Sequence, residues 1–279
     1  MVETMIWVVG AVAIDMIAVR EKFLEGTSNP SDIRLGLGGV GYRIFSNLEA
    51  PRKFITALAG DPISRWAREA LEADGDVAIQ DVKGRDAGPP LYLALMESGS
   101  LKVAASDFRI VEQALSMEFV IRQVGEPGPG DFVVLDANLS PQLLDALVRR
   151  WAARTRVVFE PVSVEKARRH AGALRNLFLM TPTTEEIEAL AAGDIGAWMS
   201  DRSIAAVLVT RGSDGATLYR AGSRTDLAPS VVVNTGDTTG AGDLLLAALL
   251  SRLHRGEDMA AAVRTSMLTV EDRLQKGAL

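Results

Sequence analysis

Eight residues near the C-terminus, Gly-Asp-Thr-Thr-Gly-Ala-Gly-Asp at 236–243, combine groups that could handle a phosphate. They stand between the apolar run 231–233 and the leucine-rich segment 244–250, whose composition predicts a buried helix. A glycine-rich turn that opens a helix directs backbone N–H groups and the positive end of the helix dipole at one point. This arrangement suits a phosphoryl group in transit, and Asp243 could accept the proton of an attacking hydroxyl. A plainer interpretation is a core helix with Asp237 or Asp243 as its cap.

The composition limits the classes of protein to which the chain can belong. Its 279 residues, 48% of them hydrophobic, are enough for one large α/β domain. A net charge of −6 and a pI near 5.1 argue against a nucleic-acid-binding surface. The absence of cysteine excludes disulfides, thiolate metal sites and a cysteine nucleophile, and two histidines in charged helical segments argue against a histidine triad or zinc site. Without signal-peptide features or a long apolar window, we expect a cytoplasmic protein with no membrane partner.

Short apolar runs alternate with helical patterns along most of the chain. The runs are continuous rather than alternating, which predicts a parallel sheet covered by helices on both faces. Strands are predicted at 5–9, 53–57, 132–135, 157–159, 177–180 and 206–210. Helices are predicted at 39–49, 64–74, 141–153, 163–170, 185–192, 237–255 and 259–274.

Two stretches, about 11–37 and 78–109, interrupt this alternation with turn-rich, alternating patterns. They predict antiparallel strands that form a small sheet apart from the main one. A small sheet over the carboxyl edge of a parallel sheet would make a lid that excludes water from phosphoryl transfer. An ordinary hairpin extension without a gating role is the alternative. The linker-like segment 126–130 is too short to separate two domains, so we expect a single domain over 1–279.

Several landmarks follow one another in a familiar order. They are Gly10 and Asp15, the Gly-Gly-Val-Gly turn at 38–41, Gly60-Asp61, Thr181-Pro182 followed by Glu186, the Thr-Arg-Gly-Ser-Asp-Gly stretch at 210–215, and the motif at 237–243. With these, the chain resembles the ribokinase-like (PfkB) carbohydrate and nucleoside kinases over nearly its whole length. The resemblance implies a three-layer α/β/α sandwich with a mainly parallel central sheet and a small β lid. It also implies a kinase that uses ATP and Mg²⁺, with K⁺ as a further cofactor in some relatives.

The resemblance assigns roles to individual residues. Asp243 is implied as the catalytic base, and the backbone N–H groups of Gly240, Ala241 and Gly242 as the anion hole. The implied substrate-binding residues are Asp15, Gly38, Gly39, Arg43 and Asn138, and the implied nucleotide-binding residues are Thr183, Thr210, Gly212, Gly215 and Thr238. Glu186 is implied to hold Mg²⁺ through water, and Asp237 and Thr239 a monovalent cation. Alternatively, Asp237 only caps its turn, and Asn138 forms an Asx-turn.

Three further stretches are similar to bacterial pseudouridine kinases: 92–95 running on to 106–109, 136–140 and 159–167. This likeness implies phosphorylation of the 5′-hydroxyl of a ribonucleoside, pseudouridine above others. Two departures leave other sugars and nucleosides open, because Arg43 and Thr183 stand where the family usually has Asn. Arg43 could favour an anionic substrate or fold back onto Asp15. A non-catalytic nucleoside-binding protein on the same fold is a third interpretation, and a homodimer through the lid is an expected assembly.

Overall fold

The computed structural model describes residues 4–83, 88–191, 193–231 and 238–277, whose strands form two sheets. In chain order the strands are β1 (Ile6–Val9), β2 (Ala13–Arg20), β3 (Asp32–Gly38), β4 (Arg52–Ala59), β5 (Val77–Val82), β6 (Leu91–Glu97), β7 (Ser100–Asp107), β8 (Phe132–Asp136), β9 (Arg156–Glu160), β10 (Leu179–Met180), β11 (Ala206–Thr210), β12 (Ala216–Arg220) and β13 (Ser223–Leu227).

The larger sheet has the strand order β13-β12-β11-β10-β9-β8-β1-β4-β5. The strands from β11 to β5 in this order run parallel, and the β12–β13 hairpin adds two antiparallel strands at one edge. The central residues are fully buried: Val8 lies between Phe54 and Val134 with no exposed surface on any of the three. Burial on both faces explains why these strands read as continuous apolar runs.

Ten helices lie in the described ranges and cover both faces of this sheet. They are α1 (Val40–Asn47), α2 (Pro62–Asp74), α3 (Arg109–Ala114), α4 (Met117–Val124), α5 (Pro141–Trp151), α6 (Val164–His170), α7 (Thr184–Leu190), α8 (Ile195–Arg202), α9 (Ala241–His254) and α10 (Met259–Gln275). The buried hydrophobic side chains form two clusters. The first core cluster includes side chains from α3, α4, α5, α7 and α8, and the second core cluster includes side chains from α1, α2, α9 and α10. The structure is therefore a three-layer α/β/α sandwich, as expected.

Helix ends follow the local capping signals. Asp61 accepts hydrogen bonds from the N–H groups of Ile63 and Ser64, so α2 begins at Pro62 rather than at 64. Ser140 and Ser163 cap α5 and α6 in the same way. The predicted helices at 39–49 and 237–255 are shorter in the structure, where they are α1 and α9. The sequence patterns missed α3, α4 and α8.

The smaller sheet has the order β3-β2-β6-β7. Its outer pairs are antiparallel, as expected, but β2 and β6 run parallel to each other. The prediction for 78–109 was wrong at its beginning, because β5 pairs in parallel with β4 and is the edge strand of the large sheet. The physical reason is that Val77 and Ile79 pack against the second core cluster. No helix in the described parts of the chain combines the length and apolar character that crossing a bilayer requires.

Candidate active site

The site residues collect at the carboxyl edge of the large sheet, beside β1. From β1 the chain continues into the small sheet and then to β4 and β5 on one side, whereas β8 and the strands after it lie on the other side. The chain thus adds strands first on one side of β1 and then on the other. Where the order of strands reverses in this way, a crevice opens at their carboxyl ends, and ligands bind there in open α/β sheets. The loops after β1, β8, β9, β10 and β11 all face this edge.

Helix α9 begins at this crevice with a glycine turn. Gly240 has φ +89°, which places it in the left-handed region that favours glycine. The Ala241 N–H donates to the Thr238 carbonyl at 3.0 Å, and the Leu244 N–H donates to the Gly240 carbonyl at 2.9 Å. Gly242 is exposed, so the first turn of the helix is open to solvent. The Ala241 N–H, which the family resemblance assigns to the anion hole, thus has a partner inside the turn.

Asp243 lies in the first turn of α9 and is partly buried. Burial raises the pKa of its carboxyl to about 7. The positive charge of Arg43 opposes this effect, and the nearby carboxyl of Asp136 adds to it. A carboxylate that titrates near neutral pH has the proton affinity expected of a general base.

Asp15 and Arg43 face each other across the crevice. The Nη2 atom of Arg43 donates to Oδ2 of Asp15 at 3.0 Å, and the Asp15 side chain is only 10% exposed. Burial raises the pKa of Asp15, while the charge of Arg43 and this hydrogen bond oppose the effect. Asn47, one turn further along α1, donates from its Nδ2 atom to the Arg43 carbonyl at 2.8 Å.

The Gly-Gly turn lets backbone and carboxylate approach closely. A Cβ atom on Gly38 would lie 2.0 Å from Oδ2 of Asp15, so only glycine leaves room for that carboxylate. Gly39 has φ +87°, and a Cβ there would lie 2.6 Å from the backbone nitrogen of Ala13. Substitution at either position would displace α1 or Asp15.

Asp136, at the end of β8, is a buried acid that the sequence patterns did not single out. It has no exposed surface and accepts hydrogen bonds from the N–H groups of Ala11 and Asn138 at 2.9 and 2.8 Å. Burial raises its pKa. A Cβ on Gly10 would lie 2.2 Å from Oδ2 of Asp136, which explains the glycine after β1. Asp136 ties the loops after β1 and β8 together beneath the crevice.

Asn138 lines a pocket of about 330 Å³ between the large and small sheets. Its Oδ1 atom accepts a hydrogen bond from Nζ of Lys166, which also lies 5.0 Å from the centre of the Phe108 ring. Burial lowers the pKa of Lys166, whereas the charge of Asp136 raises it. The pocket therefore offers an aromatic ring beside an amide and an ammonium group, a combination suited to a planar polar ring.

Four of the residues expected to bind the nucleotide, Thr183, Thr210, Gly212 and Gly215, lie where β10 and β11 end, whereas Thr238 lies in the turn before α9. Thr183 caps α7 and forms a capping box with Glu186, whose Oε2 atom accepts from the Thr183 N–H at 2.8 Å. The Thr210 N–H donates to the Pro182 carbonyl at 2.9 Å, which joins the two strand ends. Gly212 and Gly215 have positive φ and flank a short turn, and the Arg211 N–H donates to the Gly215 carbonyl at 2.8 Å.

Glu160, at the end of β9, is a second acid that sequence reasoning missed. Burial raises its pKa well above its ordinary value, the Thr181 hydroxyl hydrogen-bonded to its Oε2 atom opposes this, and the charges of Asp243 and Glu186 add to it. Burial also raises the pKa of Glu186. Close behind Glu160, Val162 adopts φ +67°, an unusual conformation for a β-branched residue and a frequent sign of a functional site.

This group of acids fits a magnesium ion bound through water. Glu160, Glu186 and Asp243 stand close enough for their charges to repel, and a cation would relieve that repulsion. Within the described residues no three such side chains approach closely enough to bind a metal directly. Mg²⁺ commonly keeps several waters and takes its other ligands from phosphates. Oε1 of Glu186 lies outside the capping box and is the oxygen suited to such a water.

The structure says little about the two residues that were expected to hold a monovalent cation. Asp237, assigned to a monovalent cation, lies outside the described residues. Thr239 stands in the turn before α9. The missed residues Asp136, Glu160 and Lys166 had one usable signal in the sequence: each acid is the last residue of a buried apolar run, and Lys166 follows the second run closely.

Residues 3–270 match the model of the pfkB family carbohydrate kinases. The chain therefore belongs to the pfkB family and is a kinase.

Individual relatives agree with this assignment. The pseudouridine kinase of Escherichia coli K12 is 24% identical over 271 residues, covering 92% of this chain and 86% of that protein. A carbohydrate kinase from Agrobacterium tumefaciens superposes with a TM-score of 0.81 at 23% identity, covering 98% of this chain and 91% of the other. The Arabidopsis thaliana ribokinase, solved with ribose and ATP, superposes with a TM-score of 0.78 at 18% identity, covering 99% and 93%. These structural likenesses show the ribokinase-like fold.

Proposed function

We propose that this kinase transfers the γ-phosphoryl group of ATP to the 5′-hydroxyl of a ribonucleoside, and that the nucleoside is pseudouridine. The observation that carries the proposal is the position of Asp243, a half-buried acid with a pKa of about 7 at the solvent-open first turn of α9. The similarity to the E. coli pseudouridine kinase along 92% of the chain supports the substrate. The similarity to a ribokinase solved with ribose and ATP supports ATP as the donor.

On the acceptor side, Asp15 would accept hydrogen bonds from ribose hydroxyls, with Gly38 and Gly39 allowing the sugar to approach the backbone. The pocket at Asn138 and Lys166 would take the base, whose ring carbonyls and N–H groups match an ammonium and an amide. Asp243 would take the proton from the 5′-hydroxyl as the bond to phosphorus forms.

On the donor side, the N–H groups of Gly240 and Gly242 would stabilise the charge of the moving phosphoryl group. Thr210 and the turn that contains Gly212 and Gly215 would bind the adenine and ribose of ATP, with Thr183 and Thr238 nearer the phosphates. Mg²⁺, when bound, neutralises charge on the phosphate oxygens. Glu186 would hold it through water, and Asp237 with Thr239 would hold K⁺.

A substrate panel tests this proposal. The protein is incubated with ATP and Mg²⁺ and with pseudouridine, uridine, adenosine or ribose in turn, and ADP release is measured with the mass of the product. We expect release that depends on pseudouridine and a product heavier by one phosphoryl group. If ribose or adenosine is turned over in preference to pseudouridine, that compound is the substrate and the proposed one is wrong. The presence of Arg43 in place of the usual Asn is the reason to include these compounds. Binding of a nucleoside without any turnover would contradict the function.

We also propose that two copies of the chain associate through the outer face of the small sheet. That face is apolar and open: Ile33, Leu35 and Val103 are 67%, 52% and 54% exposed. Leu35, Met16 and Leu93 are paired across three neighbouring strands, so their side chains lie on the same face of the sheet. Ile33 is two residues from Leu35 along β3 and therefore lies on that face as well. Exposed apolar patches of this kind mark interaction surfaces.

Replacement of Leu35 by Glu should convert this dimer to a monomer, because a charge would be buried at its centre. Light scattering after gel filtration measures the mass. Leu268 is also exposed but lies on α10, so Leu268→Glu is the matched control and should leave the mass unchanged. A wild-type protein that is monomeric at micromolar concentration would contradict this assembly.

A further inference from the structure

The side chain of Arg43 spans the space between the acceptor side and the donor side of the site. Its Nη2 atom is 3.0 Å from Oδ2 of Asp15 on the small sheet. Its Nη1 atom lies 3.1 Å, and its Cδ atom 3.5 Å, from the position that a Cβ would take on Gly240. The guanidinium group thus rests against the glycine that opens α9, and the missing side chain of Gly240 makes room for it.

The donors of this guanidinium group are only partly used by Asp15. Arginine carries five N–H donors in a planar fork, and the hydrogen bond to Asp15 uses one on Nη2. The Nη1 group remains beside Gly240, where the proposed anion hole begins. A guanidinium group in this position is well matched to phosphoryl oxygens, which it binds through two parallel hydrogen bonds.

The charged side chains around the first turn of α9 explain why a cation would be useful there. Among the described residues, the carboxyl of Asp243 is influenced by Arg43 from α1 and by two acids, Asp136 from β8 and Glu160 from β9. A phosphoryl group that enters this environment brings further negative charge. Arg43 offsets that charge at the point where the group moves, and it also keeps the carboxyl of Asp243 easier to deprotonate.

We propose that Arg43 contacts the phosphoryl group during its transfer, and that Asp15 holds the guanidinium group in position for this contact. The inference rests on the proposed function, since it takes the turn at Gly240 as the phosphoryl site. It gives Asp15 two tasks: Oδ2 orients Arg43, and Oδ1 is left for an acceptor hydroxyl. Acceptor binding on the small sheet is thereby linked to the charge at the reaction centre.

The test replaces Arg43 by Asn, the residue usual in the family, and by Lys, which keeps the charge without the fork. We expect Arg43→Asn to lower kcat by about 10²–10³-fold, the effect of losing one donor to the charge of a transition state, with the acceptor KM changed only slightly. Arg43→Lys should recover part of the loss. The acid limb of the pH profile of kcat/KM should move to higher pH in Arg43→Asn, because the cation that favours ionised Asp243 is gone. Arg149→Asn on α5, whose arginine also pairs with an aspartate, is the control and should behave as wild type.

A binding measurement separates this inference from the proposed function. Thermal shifts are recorded with Mg²⁺ and ADP alone, and with ADP and aluminium fluoride, which imitates the phosphoryl group in transit. Wild type should be stabilised more by the second mixture, and Arg43→Asn should lose that extra shift while still responding to ADP. If Arg43→Asn keeps the extra shift, or if only its acceptor KM rises, the inference is wrong while the function stands. If wild type shows neither the shift nor turnover of any acceptor, the proposed function fails and the inference with it.

Discussion

Replacement of Asp243 by asparagine is expected to lower kcat by ~10²–10⁴-fold, the usual contribution of a general base. Asparagine preserves the size and hydrogen-bonding shape of the side chain but cannot accept the proton of the attacking hydroxyl. The carboxyl of Asp243 stands at the first turn of α9 with its pKa raised to about 7 by burial. Because the loss falls on the chemical step, dissociation constants for nucleoside and nucleotide should remain within a few-fold of wild type.

Steady-state kinetics and calorimetric binding on the same preparation check this expectation. Asp272→Asn provides the control, since Asp272 is an exposed helical carboxylate on α10 that pairs with Lys276 and lies outside the site. An Asp243→Asn variant that turns over as fast as wild type would remove Asp243 from the role of base. A variant that binds no nucleoside would instead show that this carboxylate positions the acceptor.

The difference in stability between wild type and the same variant depends on pH, and its sign follows from the raised pKa of Asp243. Asp243 titrates near 3.8 when unfolded and about 7 when folded, so the folded state holds its proton more tightly. Wild type therefore loses stability from this group as the pH rises from about 4 to 7, at about 1.4 kcal/mol for each unit of pKa difference. Asparagine does not ionise, so the variant should gain stability relative to wild type over this range. Urea unfolding at pH 5 and pH 8 measures the difference.

The parts of the fold that could be predicted from sequence are those set by local patterns. Continuous apolar runs marked the parallel strands of the large sheet, since burial on both faces leaves no alternation. The turn before α9 could be placed because glycines followed by an uninterrupted leucine-rich stretch have few other structures available. The family resemblance then ordered these pieces into one domain and supplied the ribokinase-like fold.

The missed elements depend on contacts between distant residues. Strand β5 alternates like a solvent-facing strand, and only pairing with β4 assigns it to the large sheet. The hydrogen bond between Arg43 and Asp15 joins residues 28 positions apart. The sequence offered this contact only as one of two alternatives for Arg43, because no spacing rule decides between them. Asp136 and Glu160 stand at the ends of apolar runs, where an acid is equally expected as a solvated strand end. Their burial becomes evident only when the neighbouring loops close over them.

The acids of the site lower the stability of the fold in exchange for reactivity. Asp136, Glu160 and Asp243 all have raised pKa values because burial disfavours their charged forms, and repulsion by neighbouring acids adds to this at Glu160 and Asp243. Groups of this kind are rare in cores that serve only packing and frequent at functional sites. Among the described residues, every carboxyl group whose pKa burial raises lies at the carboxyl edge of the sheet, and four of these five, Asp15, Asp136, Glu160 and Glu186, stand outside the motif at α9. Their location is an argument for catalysis beside the motif itself.

Replacement of Gly215 by alanine is expected to damage both the fold and the nucleotide side of the site. Gly215 has φ +86° and ψ −139°, a conformation that is strained for any residue with a side chain. A Cβ there would lie 2.1 Å from the Leu227 carbonyl oxygen, so β12 and β13 would have to separate. The free energy of unfolding should fall by about 2–4 kcal/mol, and the KM for ATP should rise by about tenfold or more, which corresponds to a loss of about 1.4 kcal/mol of binding.

Gly212, at the other end of the same turn, offers the matched comparison for this last prediction. It also has positive φ, +54°, but a Cβ there would meet no atom within 4 Å. Gly212→Ala should therefore cost only the backbone strain, about 1–2 kcal/mol, with a smaller effect on the KM for ATP. Urea unfolding and initial rates at varied ATP concentration measure both variants. Equal effects at the two positions would show that conformational strain alone, and not the contact with Leu227, limits this turn.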